Sequence, residues 1–159
     1  FRAGKLKNDT IINDYNVNIV SPSVLMNNFI KKYQSYTNKR TILNVSSGAG
    51  RHAIDAWSVY CASKSAMDMI SETISVEQAH VSSENKIRIF SVAPGVIDTY
   101  MQDQIREVPE EEFSNVNKFI DLKNNNELVS PEETAISLLK IISEREKFNE
   151  VILDVRNLN

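Results

Sequence analysis

Apolar positions recur at helical spacing in two long stretches of the chain. In residues 10–36 the apolar side chains fall at mostly helical offsets, which predicts one long helix that Pro22 kinks. Residues 57–81 combine apolar positions at helical spacing with charged positions between them, which predicts a second amphipathic helix.

Short apolar, β-branched runs alternate with these helices. TILNVSS (residues 41–47) and IRIFSVAP (residues 87–94) predict buried parallel strands, and VILDV (residues 151–155) predicts a final strand. Strands that alternate with helices are typical of an α/β fold. We therefore expect a single α/β domain over residues 1–159.

The C-terminal third adds three shorter helices to this pattern. Residues 101–122 predict two of them, the second beginning with Pro109 at its first position and acidic residues in its first turn. Ser130 and Glu133 have the spacing of a capping box, which predicts a last helix through Ile142.

Composition excludes several functional classes. A net charge of −3 with scattered basic residues argues against a nucleic-acid partner. No apolar run reaches the length of a membrane span, so we expect no membrane association. The single cysteine provides no disulfide framework, which suits a reducing cytoplasm, and no cluster of ligands predicts a metal site.

The most informative chemistry lies on the predicted helix over residues 57–81. Tyr60 and Lys64 are four residues apart, which puts both side chains on one helix face. A nearby ammonium favours phenolate and lowers the phenol pKa from its usual value of about 10. Ser47 stands thirteen residues before Tyr60, at the strand end where ligands of open α/β sheets bind. Tyr60 can then protonate a carbonyl oxygen held by Ser47 while hydride reaches the carbon, which predicts carbonyl reduction.

A Tyr-x-x-x-Lys pair alone is weak evidence, because it arises by chance roughly one time in three in such a chain. Its surroundings make it informative. None of the other four tyrosines has a lysine at this offset, and Pro94-Gly95 closes a second strand at the same expected edge.

Taken together, these motifs resemble the catalytic half of a short-chain dehydrogenase/reductase, a family with an active site of Asn, Ser, Tyr and Lys. The matching positions are Asn18, Ser47, Tyr60 and Lys64. The family's Pro-Gly-x-x-x-Thr segment matches Pro94, Gly95 and Thr99. The stretches NVSSGAG, AWSVYCASK, APGVIDTYMQ and VILDVRN most resemble the sepiapterin reductase branch and its bacterial benzil reductase relatives.

This resemblance implies a Rossmann-like, doubly wound parallel sheet and a role for each residue. Tyr60 would donate the proton, Lys64 would lower its pKa and bind the nicotinamide ribose, and Asn18 would hold a helix distortion and a relay water. The implied cofactor contacts are Tyr60, Lys64, Pro94, Gly95, Ile97 and Thr99. The implied substrate contacts are Ser46, Ser47, Trp57, Tyr60, Gly95 and Asp154.

Two of these substrate contacts have ordinary structural alternatives. Trp57 lies one helical turn before Tyr60, but a core or dimer position suits a tryptophan equally well. Asp154 matches the substrate-anchoring aspartate of sepiapterin reductases, and a strand-end aspartate also commonly bonds to a turn.

The resemblance also implies NADPH as cofactor, a small-molecule carbonyl substrate, and a homodimer formed through the helices over residues 10–36 and 57–81. The alternative is a non-enzymatic member that keeps the fold as a dimerisation or binding module.

The family's glycine-rich cofactor turn has no counterpart here. The four glycines are Gly4, Gly48, Gly50 and Gly95, and none follows a strand in the family pattern. By comparison with the family, roughly 80 to 90 residues are expected on the N-terminal side. Because the first strand would then lack a neighbour, we expect that these 159 residues alone are not an independently stable enzyme.

Overall fold

The computed structural model describes residues 2–158 and contains one parallel sheet with six α-helices in that range. The helices are Asn8–Tyr15 (α1), Ser21–Tyr33 (α2), Ser58–Gln78 (α3), Tyr100–Arg106 (α4), Val116–Asn124 (α5) and Pro131–Ser143 (α6). The strands are Thr41–Val45 (β1), Arg88–Ala93 (β2) and Ile152–Asp154 (β3). Within residues 2–158, no helix has the length and apolar character needed to cross a membrane.

The three strands pair in the order β1-β2-β3, and both pairings are parallel. Thr41 of β1 lies opposite Arg88 of β2, and Val45 lies opposite Val92. Parallel neighbours need crossover connections, and α3 supplies the one between β1 and β2. The carboxyl ends of the strands therefore share one edge of the sheet, and the predicted α/β fold is confirmed.

The central strand β2 explains the continuous apolar run in the sequence. Phe90 is 2% exposed and Val92 is fully buried, and both pack with Ile141 of α6 and Leu153 of β3. A strand covered on both faces has no polar side, so its sequence does not alternate. A second apolar cluster joins α4, α5 and the segment between them through Ile105, Phe113, Val116 and Phe119.

The long first helix contains a π-helical turn, Asn16–Val20, between α1 and α2. Pro22 has no backbone N–H to give to the Asn18 carbonyl four residues earlier. The hydroxyl of Ser21 donates to the Asn16 carbonyl, five residues earlier, at 2.8 Å. The kink expected at Pro22 therefore takes the form of a local change of helix type.

One predicted helix start is wrong, because α5 begins at Val116 and not at Pro109. The chain after Pro109 makes a single turn, in which the Phe113 N–H donates to the Pro109 carbonyl. The next N–H, that of Ser114, donates to the Asp55 carboxylate at 3.2 Å. The Ser114 N–H is therefore used in a long-range bond and cannot donate within a second helical turn.

The loop after β1 lies directly on α3 because Gly50 has no side chain. A Cβ atom on Gly50 would stand 2.9 Å from the carbonyl carbon of Lys64 and 3.0 Å from its oxygen. The Ser65 hydroxyl donates to the Gly50 carbonyl at 2.5 Å. This contact sets the distance between the end of β1 and the middle of α3.

We expect Gly50→Ala to lower the free energy of unfolding by about 1–3 kcal/mol, because the added methyl group overpacks a backbone contact. Urea unfolding of the full-length protein measures this change. Gly48→Ala is the matched control, since a Cβ there meets its nearest atom at 3.9 Å. Equal unfolding midpoints for the two variants would contradict the structural role of Gly50.

Candidate active site

The carboxyl ends of β1 and β2 border a cavity of about 530 Å³ that also reaches α3, α4 and α5. The predicted site residues that line it are Ser46, Ser47, Trp57, Tyr60, Lys64, Pro94, Gly95, Ile97 and Thr99. Asn18 and Asp154 are not among its lining residues. Three separate parts of the chain thus converge as the sequence predicted.

Ser46 and Ser47 are held by backbone contacts at the end of β1. The Ser46 N–H donates to the Val92 carbonyl of β2 at 2.8 Å. Ser47 has an extended backbone, and its hydroxyl accepts a hydrogen bond from the Ala49 N–H at 3.1 Å. The hydroxyl of Ser47 is therefore oriented by its own turn, at the mouth of the cavity.

Tyr60 and Lys64 share one face of α3, as their spacing predicted. The Lys64 ammonium donates to the Val45 carbonyl of β1 at 2.9 Å. The same nitrogen stands 5.7 Å from the centroid of the Tyr60 ring. Lys64 therefore joins α3 to β1 while lying beside the tyrosine.

Burial controls the protonation of this pair. Burial raises the pKa of Tyr60 above its usual value, and a hydrogen bond with the Ser47 hydroxyl partly opposes this rise. Lys64 is not among the groups that shift the pKa of Tyr60, so the expected lowering by Lys64 is wrong for this arrangement. Burial also lowers the pKa of Lys64, and the nearby Asp68 carboxylate opposes that effect. Tyr60 is thus a neutral phenol at neutral pH, which is the form that can donate a proton.

The segment after β2 exposes unused polar groups to the cavity. Gly95 has a φ of +85°, which lets the chain turn sharply after Pro94. The Val96 carbonyl and the Asp98 N–H both bond to Val129, but the backbone N–H of Ile97 between them has no partner within residues 2–158.

Thr99 is a second unused polar group on this segment. It occupies the N-cap position of α4 but makes no side-chain capping bond. An N-cap threonine commonly satisfies a helix N–H, so this hydroxyl is left for another partner.

Asn18 lies within the π-helical turn Asn16–Val20, which packs against α3. The helix distortion that the resemblance implied at this residue is therefore present. The water that Asn18 would hold stays a prediction.

Trp57 is the centre of an aromatic wall. Its ring stacks on Phe113 with centroids 5.4 Å apart, and it meets the Tyr60 ring edge-on at 5.5 Å. Phe119 of α5 lies 5.6 Å from it and also lines the cavity. Trp57 therefore packs in the second apolar cluster and borders the cavity at once, so both sequence interpretations describe part of its position.

The comparison with known proteins agrees with this geometry. The sequence profile described as short chain dehydrogenase matches residues 2–110, which is more than half of the chain. The chain belongs to the short-chain dehydrogenase family.

Within this family the similar proteins include carbonyl reductases. A benzil reductase ((S)-benzoin forming) of Bacillus subtilis (strain 168) is 34% identical over 98% of this chain and 63% of its own length. The sepiapterin reductase of Bos taurus is 29% identical over 90% of this chain and 51% of its own length. The crystal structure of the KRED1-Pglu enzyme aligns with a TM-score of 0.77 and 31% identity, over 90% of this chain and 57% of that one. The chain thus spans between half and two thirds of the length of these relatives, and the predicted branch is confirmed.

The carboxylate of Asp154 is paired with a neighbouring side chain. It is 8% exposed and accepts hydrogen bonds from Nε of Arg156 at 2.9 Å and from Nη2 at 2.6 Å. Arg156 lines the cavity and Asp154 does not. The direct substrate contact expected of Asp154 stays a prediction.

Sequence reasoning missed five polar residues that line the cavity: His52, Gln102, Asn115, Lys118 and Arg156. Gln102 lies three residues after Thr99 at the start of a predicted helix, so its helical offset was a usable signal. It is 7% exposed, and its Oε1 atom has no hydrogen-bond partner among the described residues. Lys118 carries no local signal, since only the packing of α5 brings it to the cavity.

No group of three or more His, Cys, Asp or Glu side chains within residues 2–158 is arranged to hold a metal ion.

Because its pKa is raised, the Tyr60 phenol should ionise only at high pH. Alkaline titration followed by tyrosinate absorbance measures the ionisation of Tyr60 as the absorbance that the wild type gains and Tyr60→Phe does not. This extra absorbance should appear only above the usual tyrosine pKa of about 10. Ser47→Ala should move this step to still higher pH, because the Ser47 hydrogen bond lowers the pKa. A Tyr60 step below the usual value, or a downward shift in Ser47→Ala, would contradict the assignment.

Proposed function

We propose that the protein is an NADPH-dependent carbonyl reductase that transfers hydride to a ketone, a diketone or a pterin side-chain carbonyl. The observation that carries this proposal is the convergence of the Ser47 hydroxyl, the neutral Tyr60 phenol and the Lys64 ammonium on one cavity. Two hydroxyl donors at one point suit a carbonyl oxygen that gains negative charge during reduction.

The polar groups of the cavity fit a nicotinamide cofactor. The unpaired Ile97 N–H and the uncapped Thr99 hydroxyl are hydrogen-bonding groups that suit a carboxamide. The unpaired Oε1 of Gln102 is an acceptor for a ligand N–H or O–H group. Lys64 provides a charged donor for ribose hydroxyls. When bound, the reduced nicotinamide supplies the hydride, and the choice of NADPH over NADH rests on the family resemblance alone.

The protein's own residues handle the proton. Hydride adds to the carbonyl carbon, the π electrons move to the oxygen, and the oxygen takes the phenolic proton of Tyr60, giving a secondary alcohol. Ser47 donates a hydrogen bond to the same oxygen and stabilises its developing charge. A water held near Asn18 then returns a proton to the Tyr60 phenolate by way of Lys64.

The apolar wall favours a carbonyl compound that carries an aromatic group. Trp57 and Phe119 present ring surface to the cavity, which suits offset or edge-on stacking. The names of the similar benzil and sepiapterin reductases agree with an aromatic or pterin substrate.

The full-length protein should oxidise NADPH when benzil is added, faster than it oxidises NADH. Tyr60→Phe should lower kcat by about 10²–10⁴-fold, because it removes the general acid. Cofactor affinity, measured by fluorescence titration, should change little. Initial rates from nicotinamide absorbance give the kinetic comparison.

Tyr36→Phe is the matched control, since Tyr36 is exposed and lies outside the cavity. Undiminished turnover by Tyr60→Phe would refute the proton-donor role. No oxidation of either cofactor with diketone or sepiapterin would refute the proposed activity.

The proposed enzyme is a homodimer that pairs the helices over residues 10–36 and 57–81. Large apolar side chains stand exposed on these helices: Ile12, Val17, Val20, Val24, Leu25, Met69 and Val76. These exposed side chains support an interface between copies, because large apolar groups of this kind are what a protein–protein contact buries.

We expect Leu25→Glu to convert the dimer to a monomer, since it puts a charge into the proposed interface. Sedimentation velocity measures the change. Leu139→Glu is the control, because Leu139 is similarly exposed but lies on α6. A dimer that survives Leu25→Glu, or one that only Leu139→Glu dissociates, would contradict this interface.

A further inference from the structure

The charged side chains described at the cavity wall are all positive. Its charged lining residues are Lys64, Lys118 and Arg156, and none of the described lining residues is an Asp or Glu. The whole chain has the opposite balance, with a net charge of −3. Lys64 lies beside Tyr60 and belongs to the reaction centre, so Arg156 and Lys118 are cations that the proposed chemistry leaves unused.

Arg156 lies close to the reacting groups. A Cβ atom on Gly48 would stand 3.9 Å from Nη2 of Arg156, and one on Gly95 would stand 3.8 Å from its Cγ. Gly48 directly follows Ser47, and consecutive Cα atoms are about 3.8 Å apart. The guanidinium therefore lies against the residue that follows Ser47, and Arg156 and Ser47 line the same cavity.

Asp154 fixes the orientation of this guanidinium. The buried carboxylate accepts hydrogen bonds from Nε and Nη2 of Arg156. The Nη1 atom has no hydrogen-bond partner within residues 2–158. A preoriented guanidinium with unused N–H groups binds a carboxylate through charge-assisted hydrogen bonds. A ligand in the cavity meets this cation and not the carboxylate behind it.

We propose that Arg156 selects substrates by binding a carboxylate next to the reacting carbonyl, so that the preferred class is 2-oxo acids with an aromatic side group. Arg156 lies against Gly48 and lines the same cavity as Ser47 and Tyr60, so a single ligand can reach all three. The rings of Trp57 and Phe119 border this cavity and suit the aromatic group. This inference rests on the proposed carbonyl reductase function. The product is the corresponding 2-hydroxy acid.

The test compares phenylglyoxylate with its methyl ester, which differ in charge but share the ketone and the ring. With the full-length protein, Arg156→Gln should lower kcat/KM for the acid by about 10- to 100-fold more than for the ester, as expected for loss of a charged hydrogen bond. Lys123→Gln is the control, because Lys123 pairs with Asp98 and does not line the cavity. It should leave the acid-to-ester ratio unchanged.

A second variant separates loss of attraction from new repulsion. Arg156→Gln alone leaves the Asp154 carboxylate without the guanidinium that neutralises it. Asp154→Asn combined with Arg156→Gln removes both charges. The double variant should lose the same preference for the acid. Circular dichroism and thermal unfolding identify any variant that fails to fold, and Arg156→Lys then provides the comparison, with a smaller loss because the charge remains.

The outcomes distinguish this inference from the proposed function. An unchanged acid-to-ester ratio in folded Arg156 variants overturns the inference. An equal loss for both substrates with a raised KM for NADPH also overturns it, because Arg156 then serves a cofactor phosphate. Reduction of the ester and benzil but not of the acid by the wild type overturns the inference and leaves the reductase function intact. No turnover of any of the three compounds overturns the reductase function, and the inference falls with it.

Discussion

The contact of Gly50 with the backbone of α3 sets the geometry on which the candidate site depends. Ser47 comes from the end of β1, whereas Tyr60 and Lys64 come from α3, and their hydroxyl and ammonium groups can cooperate only if the two backbones approach closely. The absence of a Cβ at Gly50 permits that approach, and the Ser65 hydroxyl holds it through the Gly50 carbonyl. The hydrogen bond from Ser46 to Val92 joins the same loop to β2.

The electrostatics of the site follow from burial. Removing a group from water favours its neutral form, which raises the pKa of an acid and lowers that of a base. Tyr60 and Lys64 show these opposite shifts from one cause. Asp68, one helical turn beyond Lys64, favours the ammonium and is itself held by the Ser91 hydroxyl of β2 at 2.6 Å. The central strand β2 thus supports both the position of α3 and, through Asp68, the charge of Lys64.

Local patterns were sufficient to predict most of the fold and the centre of the site. Helical spacing identified α3 and put Tyr60 with Lys64, and the apolar runs identified β1 and β2, whose ends bring Ser47 and Gly95 together. The start of α5 was not predictable in this way, because a bond between Asp55 and Ser114, 59 residues apart, decides it. The π-helical turn shows the same limit, since Pro22 marks a break in the helix but does not specify its form.

The sign of the charge at the cavity wall could not be predicted from the spacing of residues along the chain. Position along the chain put Asp154 at the end of the last strand, and the resemblance assigned it to the substrate. A carboxylate that is 8% exposed must be paired, because an isolated buried charge is costly. Arg156, two residues later, is the partner within reach, and its long side chain can pair while its outer nitrogen stays at the surface. Burial of the acid therefore accompanies an arginine at the cavity wall, and the chain end at which a carboxylate was expected presents a cation.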